Sequence, residues 1–472
     1  MTVLASYVLG LELDALETRS VLMDQYRTIR AWVTVPVNPD RPSASVEEAV
    51  RQILDQCAAG PADVLYAVLV SDHCRAALQE RRGLARVAVI RLASPAGTAI
   101  PPLLDWPEDL QMAVGGAIFE LTGGFELDGR TIGPEPDDQA VARLVSEIRR
   151  QKLEAAAITG VFSPVHPMQE IHLAAALTEA LGPAFPLALS HWLGSIGLVE
   201  RENGTVLNAA LVHVGPRAAE TTTRVLTRLG ITSPVFMAQN DGTLMSLQVA
   251  ARFPILTARC ATGHGLRGAA HLSGLSDCAV LLCRESGIDG GLVRNDFPGE
   301  ISSPRELAGV RVSIPQPDTV SVAAQISPGT ALSPEVLERV ELALDRVRGR
   351  PDPMPVVCAG PLADQVPSRL RGTTGLTRPA LAPHCTAVGA ALAPVGGRAD
   401  LVYSLDRWTR KGAQADAIRR ARKFAVEAGA DPATLEVARL DEATLTYLPG
   451  NTLRVSAKVT AKALVSGKAV TR

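Results

Sequence analysis

An α/β protein in two lobes, with substantial parallel sheet, is what this sequence predicts, and three observations predict it. Short apolar runs alternate with amphipathic helical patterns along the whole chain. The 472 residues exceed what one ordinary hydrophobic core organises. The composition is globular, 47% apolar and 20% charged, and rich in Ala, Val and Leu.

The elements follow in order. Val46–Cys57 has the spacing of an amphipathic helix. Val87–Ile90 and Ala155–Val161 are apolar segments, and Gln139–Lys152 and His172–Leu181 are helices around the second of them. Val206–Val212 is another apolar run among the strand-like ones, and Ala279–Leu282 reads as a buried strand. Arg130–Asp138, with Pro134 and Pro136, and Leu181–Leu187, with Gly182, Pro183 and Pro186, have the residues of loops. The main boundary is placed at the second, giving units 1–187 and 188–472, and Arg346–Pro355, with three prolines, links two parts of the C-terminal unit. A basic helix, Lys411–Lys423, precedes a strand pair, Thr434–Val437 and Leu453–Val459. No internal repeat or low-complexity tract stands out in the sequence.

Composition narrows the function classes. Aromatics are only 4%, too few for a base-stacking surface, and 47 Lys plus Arg against 49 Asp plus Glu leave a net charge of -2. A near-neutral chain has no global attraction to nucleic acid or anionic membrane. The seven cysteines are scattered and form no Cys-x-x-Cys pair, as expected of a reduced, cytoplasmic protein rather than a disulfide framework. Met1–Gly10 lacks a basic flank and runs into Glu12 and Asp14, so it is not read as a signal peptide. No apolar run approaches the ~20 residues that span a bilayer.

Several segments carry a family resemblance, in consistent order over nearly the whole chain. They are Glu80–Leu92, Asp105–Leu110, Gly123–Arg130, Phe162-Ser-Pro-Val-His-Pro167, Leu198–Asn203 with Leu207-Asn-Ala209, Gln239-Asn-Asp-Gly-Thr-Leu-Met245, and Tyr447–Asn451. Together they resemble the short-form, hydantoinase A-like members of the hydantoinase/oxoprolinase family, which comprises ATP-dependent cyclic-amide hydrolases and related acetone and acetophenone carboxylase subunits. The resemblance implies an actin-like fold, in which two ribonuclease-H-like lobes clamp a nucleotide and its metal. Residues 1–187 then correspond to the family's N-terminal domain and 188–472 to the hydantoinase A-like domain. Such folds cradle phosphates with glycine loops, because backbone N–H groups must approach without a Cβ in the way.

Those loops are altered here. The family's Gly-x-Asp-x-Gly-Gly-Thr-x-Thr-Asp reads Gly10-Leu-Glu-Leu-Asp-Ala-Leu-Glu-Thr-Arg19, with Asp14 and Ala15 replacing the glycine pair and Arg19 the closing Asp. The second motif, Asp-x-Gly-Gly-Thr-Thr-Thr-Asp, reads Leu282-Cys-Arg-Glu-Ser-Gly-Ile-Asp289, retaining only its last residue. The interlobe Gly-Thr-Thr falls at Val70-Ser-Asp-His-Cys-Arg-Ala-Ala77, Ser-Gly-Pro at Cys260-Ala-Thr262, and Gly-Gly-Gly-Ser at Val322–Ser327. Five nucleotide-site elements therefore depart from the pattern while the framework persists, so ATP and magnesium are not expected as cofactors, and no metal site is assigned.

The other constellations each have two readings. His73 and Cys74 with Asp72 are either an activated nucleophile pair or part of a filled cleft, and neighbours on a strand would point to opposite faces. Asp241, in Gln239–Gly242, lies either on a cleft-lining loop or in a turn kept for the fold. His264 sits in Gly263-His-Gly-Leu-Arg-Gly268, either an anion loop aided by Arg267 or a tight helix entry. His166 and His172 with Glu170 are either metal ligands or ordinary caps, and none of the eight histidines has a zinc-motif spacing. Glu200, Arg201, Glu202 and Asn203 are expected to form a buried hydrogen-bonded network. The principal expectation is a non-catalytic subunit of a hydrolase or carboxylase-type complex, partnered by an intact family paralogue, a companion subunit or its own copies. Alternatives are an ATP-independent enzyme acting on cyclic amides or acyl groups through His73, Cys74, Asp241, His264 and Asp289, and an ATP-dependent cyclic amidohydrolase with divergent loops.

Overall fold

The computed structural model describes residues 6–301, 303–349, 354–373, 375–448 and 451–465. Parts of Met1–Gly10, Arg346–Pro355 and Tyr447–Asn451 therefore lie outside the described residues. The first lobe opens with β1 (Tyr7–Leu13), β2 (Glu17–Asp24) and β3 (Ile29–Pro36), then α1 (Pro42–Gln56), β4 (Val64–Ser71) and α2 (His73–Glu80). β1, β2 and β3 pair antiparallel, whereas β4 runs parallel to β1. α1 buries Val46, Ala49, Val50, Ile53 and Leu54, one stripe at helical period, and keeps Glu48 and Arg51 at its outer face.

A smaller unit is inserted after α2. It contains β5 (Val87–Ser94), α3 (Glu108–Ala113), β6 (Ala117–Thr122), α4 (Asp138–Arg150), β7 (Ala155–Gly160), α5 (Met168–Leu181) and β8 (Leu187–Leu189). Its four parallel strands are ordered β6-β5-β7-β8 around a core of their own. The chain then passes through α6 (Leu198–Ala210), α7 (Val214–Arg228), β9 (Val235–Ala238), β10 (Leu244–Ser246), α8 (Leu247–Arg252) and α9 (Cys260–Leu272). Val206–Val212, read among strand-like runs, is instead the end of α6 and the turn beyond it. Every α6 residue from Arg201 to Ala210 is buried, so the run shows no amphipathic period.

The second lobe holds β11 (Cys278–Arg284), β12 (Gly287–Arg294), β13 (Phe297–Pro298), β14 (Arg305–Leu307), β15 (Val310–Val312), β16 (Thr319–Ala323), α10 (Pro334–Arg348), β17 (Val356–Ala359) and β18 (Leu376–Thr377). The chain ends with α11 (Cys385–Leu392), β19 (Val395–Ser404), α12 (Arg410–Glu427), β20 (Glu436–Thr444) and β21 (Thr452–Ala461). These last strands return to the first sheet, whose nine strands run β20-β21-β19-β10-β9-β4-β1-β2-β3.

The two lobes repeat one plan. β11, β12 and β16 pair antiparallel, α10 follows, β17 lies parallel to β11 and β18 parallel to β17. β1, β2, β3, α1, β4 and β9 show the same order and sense. No repeat stood out in the sequence because the equivalence lies in topology alone. This is the actin-like, ribonuclease-H-like architecture that the resemblance implied. β8 pairs with β7 across the boundary drawn at 187, and Arg346–Pro355 runs from the last turn of α10 to the start of β17.

The lobes meet where α9 crosses α11. At the crossing a Cβ on Gly268 would lie 1.8 Å from Cys385 O, and one on Gly389 would lie 1.8 Å from His264 O. The glycines of Gly263–Gly268 thus serve close backbone packing within a helix, and neither a phosphate loop nor a helix entry explains them. Gly10 is retained for a related reason: its Cβ would lie 2.4 Å from Ala387 O of α11. Among the described residues no helix is long and apolar enough to cross a membrane.

Candidate functional site

Two hairpins bring charge into the interlobe cleft. In the β1–β2 hairpin Glu12 pairs in register with Arg19. Arg19 is 3% exposed and reaches three carboxylates: Glu17 in close contact, Asp14 at 3.6 Å and Glu12 at 3.8 Å. Burial raises the Glu12 carboxyl to about 7, with Arg19 opposing and Asp14 reinforcing the rise. In the β11–β12 hairpin Asp289 accepts hydrogen bonds from Ser321 and Thr262 and pairs with Arg284 at 3.3 Å and Arg259 at 3.8 Å. Burial pushes its pKa upward, but Arg284 and then Arg259 hold it below the usual carboxylate value.

The hairpins form one electrostatic cluster. Glu12 feels Arg284 of the opposite hairpin and Asp72 of the β4–α2 junction. Arg75, paired to Asp72 at 2.6 Å, feels both Asp14 and Asp289. Among the described residues, several buried atoms of the cluster have no hydrogen-bond partner: Glu12 Oε2, Arg19 Nε and Nη1, Arg259 Nε and Arg284 Nη2. Leu16 and Glu285, by contrast, point to solvent from the two hairpin turns, so the charges that fill the cleft come from Arg19 and Arg284.

The residues singled out in the sequence divide between two places. His73 and Cys74 open α2 rather than lying on a strand, so strand alternation does not govern them. His73 Nδ1 is 2.5 Å from Ser71 Oγ, and burial lowers its pKa against the pull of Asp72. Cys74 is 2% exposed, and burial raises its thiol to about 11, opposite to what an activated nucleophile requires. His264 is fully buried inside α9, where burial and then Arg267 lower its pKa to about 4. Asp289 belongs to the cleft cluster described above.

Asp241 lies elsewhere, on the turn after β9. The turn itself is fixed by the fold: Gly242 N donates to Gln239 O, Asn240 Nδ2 donates to Ile255 O, and Gly242 has a φ of 77°. Asp241 fronts a cavity, but one lined by His191, Trp192 and Arg252 rather than the interlobe cleft. Burial works to raise its pKa, but Lys458, 3.0 Å away, and the Thr243 hydrogen bonds lower it to about 2. Lys458 also pairs with Glu300, which pairs with Arg398, which reaches Asp400.

Glu202 and Arg201 are buried as expected. Glu202 pairs with the fully buried Arg91 of β5, tying the inserted unit to α6, and Asn203 accepts from Trp106 Nε1 and donates to Arg311 O. Glu200 is only partly buried and pairs with Arg311 at 3.6 Å. His166, His172 and Glu170 face three different partners, Leu127 O, Glu135 and His191. Among the described residues no group of three or more His, Cys, Asp or Glu could hold a metal ion. Arg259, His191 and Lys458 were missed, since their partners are brought near only by the fold; Arg75 was missed although its partner Asp72 lies three residues before it.

Residues 17–181 match the family model described as the hydantoinase/oxoprolinase N-terminal region. No curated protein matches the chain in sequence. Among solved structures, a nucleotide-free acetone carboxylase is similar with a TM-score of 0.70 and 11% identity, over 98% of this chain and 89% of that one. An ATP-dependent caprolactamase from Pseudomonas jessenii is similar with a TM-score of 0.71 and 16% identity, over 97% of this chain and 88% of that one.

Proposed function

The chain is a relative of the hydantoinase/oxoprolinase family on an actin-like fold, and from that premise we propose that it has lost ATP turnover and acts as a non-catalytic subunit of a hydrolase or carboxylase-type complex. The observation that carries this reading is the ion-paired cluster between the two hairpins, centred on Arg19 and Arg284. Where the family's loops offer glycine N–H groups to phosphates, this chain places Asp14 and Ala15. A unit charge on a phosphate ~5 Å from a carboxylate is repelled by about 3 kcal/mol at an effective dielectric near ~20. Arg19 and Arg284 do not offset this freely, because each is already committed to carboxylates. The residues present do not fit a metal-bound triphosphate.

Geometry also speaks against chemistry in the old cleft. Its proposed nucleophile, Cys74, is buried, which pushes its thiol up to about 11, His264 is enclosed within α9, and Asp241 faces a different cavity. A retained fold without the nucleotide loops supports a role in holding a companion chain, either an intact family paralogue or another subunit. Co-expression of tagged chain with the proteins encoded beside it, followed by size-exclusion chromatography with light scattering, tests this. A stoichiometric hetero-complex is the expected result. A stable monomer that hydrolyses a cyclic amide alone would overturn the reading.

A further inference from the structure

The outermost strand of the nine-stranded sheet lacks cover on its outer side. β20 pairs with β21 on one side and with no strand on the other among the described residues. Every residue from Glu436 to Thr444 is exposed except Glu442. The opposite edge, β3, differs, since it buries Ala31, Val33 and Val35 in the core that α1 shares. An uncovered edge offers a row of free backbone donors and acceptors to another strand.

Which groups point outward follows from the hairpin that joins β20 to β21. Leu445 N donates to Thr452 O at 2.9 Å. From Arg439 opposite Lys458 to Thr444 opposite Leu453 the two strands keep one register. Hydrogen-bonded and non-bonded pairs alternate along such a ladder. Ala443, Asp441 and Arg439 therefore bond to β21, whereas Thr444, Glu442 and Leu440 turn their N–H and C=O groups outward. The bulge between Val437 and Arg439 ends the regular ladder.

Charge on this edge is self-complementary about Leu440. Arg439 precedes it and Asp441 follows it, both half-exposed and paired with each other at 2.5 Å. Arg439 stands opposite Lys458 of β21, and Asp441 is its one ion pair among the described residues. The β21 cations beside them are held by other acids: Arg454 by Asp400, and Lys458 by Asp241 and Glu300. Glu442 is drawn toward α12 by Arg410 at 2.8 Å and by Gln414. Leu440 is 36% exposed and brings an apolar side chain to the middle of the edge.

We propose that β20 is the two-fold interface of a homodimer, pairing antiparallel with β20 of a second copy and centred on Leu440. In that register Leu440 meets its own copy through two backbone hydrogen bonds, and each Arg439 lies directly opposite the second copy's Asp441. These two charge pairs fall at non-hydrogen-bonded positions, where opposing side chains approach most closely. Four charges then alternate around the axis. Ala438, at the bulge, meets Glu442 and closes the ladder at either end, so no like charges oppose. Centring the pair on Arg439, Asp441 or Glu442 instead would set each against its own copy, which destabilises. A second copy is favoured over an unrelated strand because the charge match lies within this strand's own sequence. The interface stands apart from the interlobe cleft and does not rest on the cleft having lost its nucleotide.

Exposed ion pairs add little attraction, so the charges select the register more than they drive association. A short ladder of this kind should give a Kd of about 10 μM, and sedimentation of the full chain up to ~100 μM should show the dimer. Arg439→Asp and Asp441→Arg each oppose like charges and should raise the Kd by about tenfold or more. Both sites are exposed, so circular dichroism should show each variant folded. Mixed in equal amounts, the two variants should regain the parent's Kd, because two acidic positions then face two basic ones. The chain carrying both substitutions should dimerise as the parent does, a recovery that damage to the fold could not give. A parent that is monomeric at ~100 μM, ten times the expected Kd, would overturn the proposal. So would single variants with the parent's Kd, or a mixture no tighter than either variant alone. A monomeric parent that loses a companion chain on Asp441→Arg would assign the edge to that chain and overturn it too. None of these results bears on the nucleotide site.

Discussion

Substituting Glu12→Gln should stabilise this protein, and by an amount that depends on pH. Glu12 is 8% exposed, and its carboxyl is raised from 4.5 to about 7 by burial. A folded-state pKa above the unfolded one means that the fold binds the proton more tightly. The stability it contributes is complete below pH 4.5 and is lost as pH rises through 7. A shift of this size corresponds to about 3 kcal/mol, at ~1.4 kcal/mol per unit. An amide at this position cannot ionise, so the variant should match the parent near pH 4, below both pKa values, and exceed it by about 3 kcal/mol at pH 8. Urea unfolding at intervals from about pH 4 to pH 8 measures both profiles. His264 and His384, both lowered to about 4 chiefly by burial, also affect stability in this range, with the opposite sign. Their contributions are common to the two proteins and cancel in the difference. Parallel profiles across the window would refute the reasoning, because Glu12 would then titrate alike in the folded and unfolded chains.

Three other outcomes are expected. Gly389→Ala places a methyl 1.8 Å from His264 O at the helix crossing and should cost about 3 kcal/mol or prevent folding, measured by thermal unfolding; an unchanged Tm contradicts the packing described. Of the seven cysteines only Cys57 is not buried, so a thiol reagent should modify one group rapidly in the native protein; rapid labelling of Cys74 would revive it as a nucleophile. Asp241→Asn should destabilise the protein by about 3 kcal/mol at neutral pH, because Lys458 loses a buried partner. Asp241's lowered pKa gives stability that is present above pH 4 and lost as pH falls toward 2, so the loss on substitution should shrink in acid urea titrations.

Strand and helix alternation was legible because most elements bury one face or both in the ordinary way. α1 shows its stripe at Val46, Val50 and Ile53, and β11 is a short apolar run flanked by polar residues. Two helices were not legible for physical reasons. α6 is buried on nearly every side, which erases the period, and α9 contains three glycines that look like a loop until α11 is laid across them. The altered cleft could be read from Asp14, Arg19 and Arg284, since glycine loops tolerate few replacements. Which side chains fill it could not, because that depends on rotamer and register: Leu16 turns outward while Arg19, paired across from Glu12, turns in. Glu170 was noticed beside His166 and His172, its neighbours in sequence, yet its partner is His191, fixed only once β7 and β8 pair. Lys458 and Asp241 are likewise far apart in the chain and have no local signal.

Loss of the nucleotide site in the interlobe cleft is tested by titrating the purified protein with magnesium ATP in a calorimeter. No heat of binding is expected at ~1 mM nucleotide, where a functional site with a Kd near ~10 μM would be saturated. Stoichiometric binding in that range, abolished by Asp289→Ala and accompanied by release of phosphate, would contradict it.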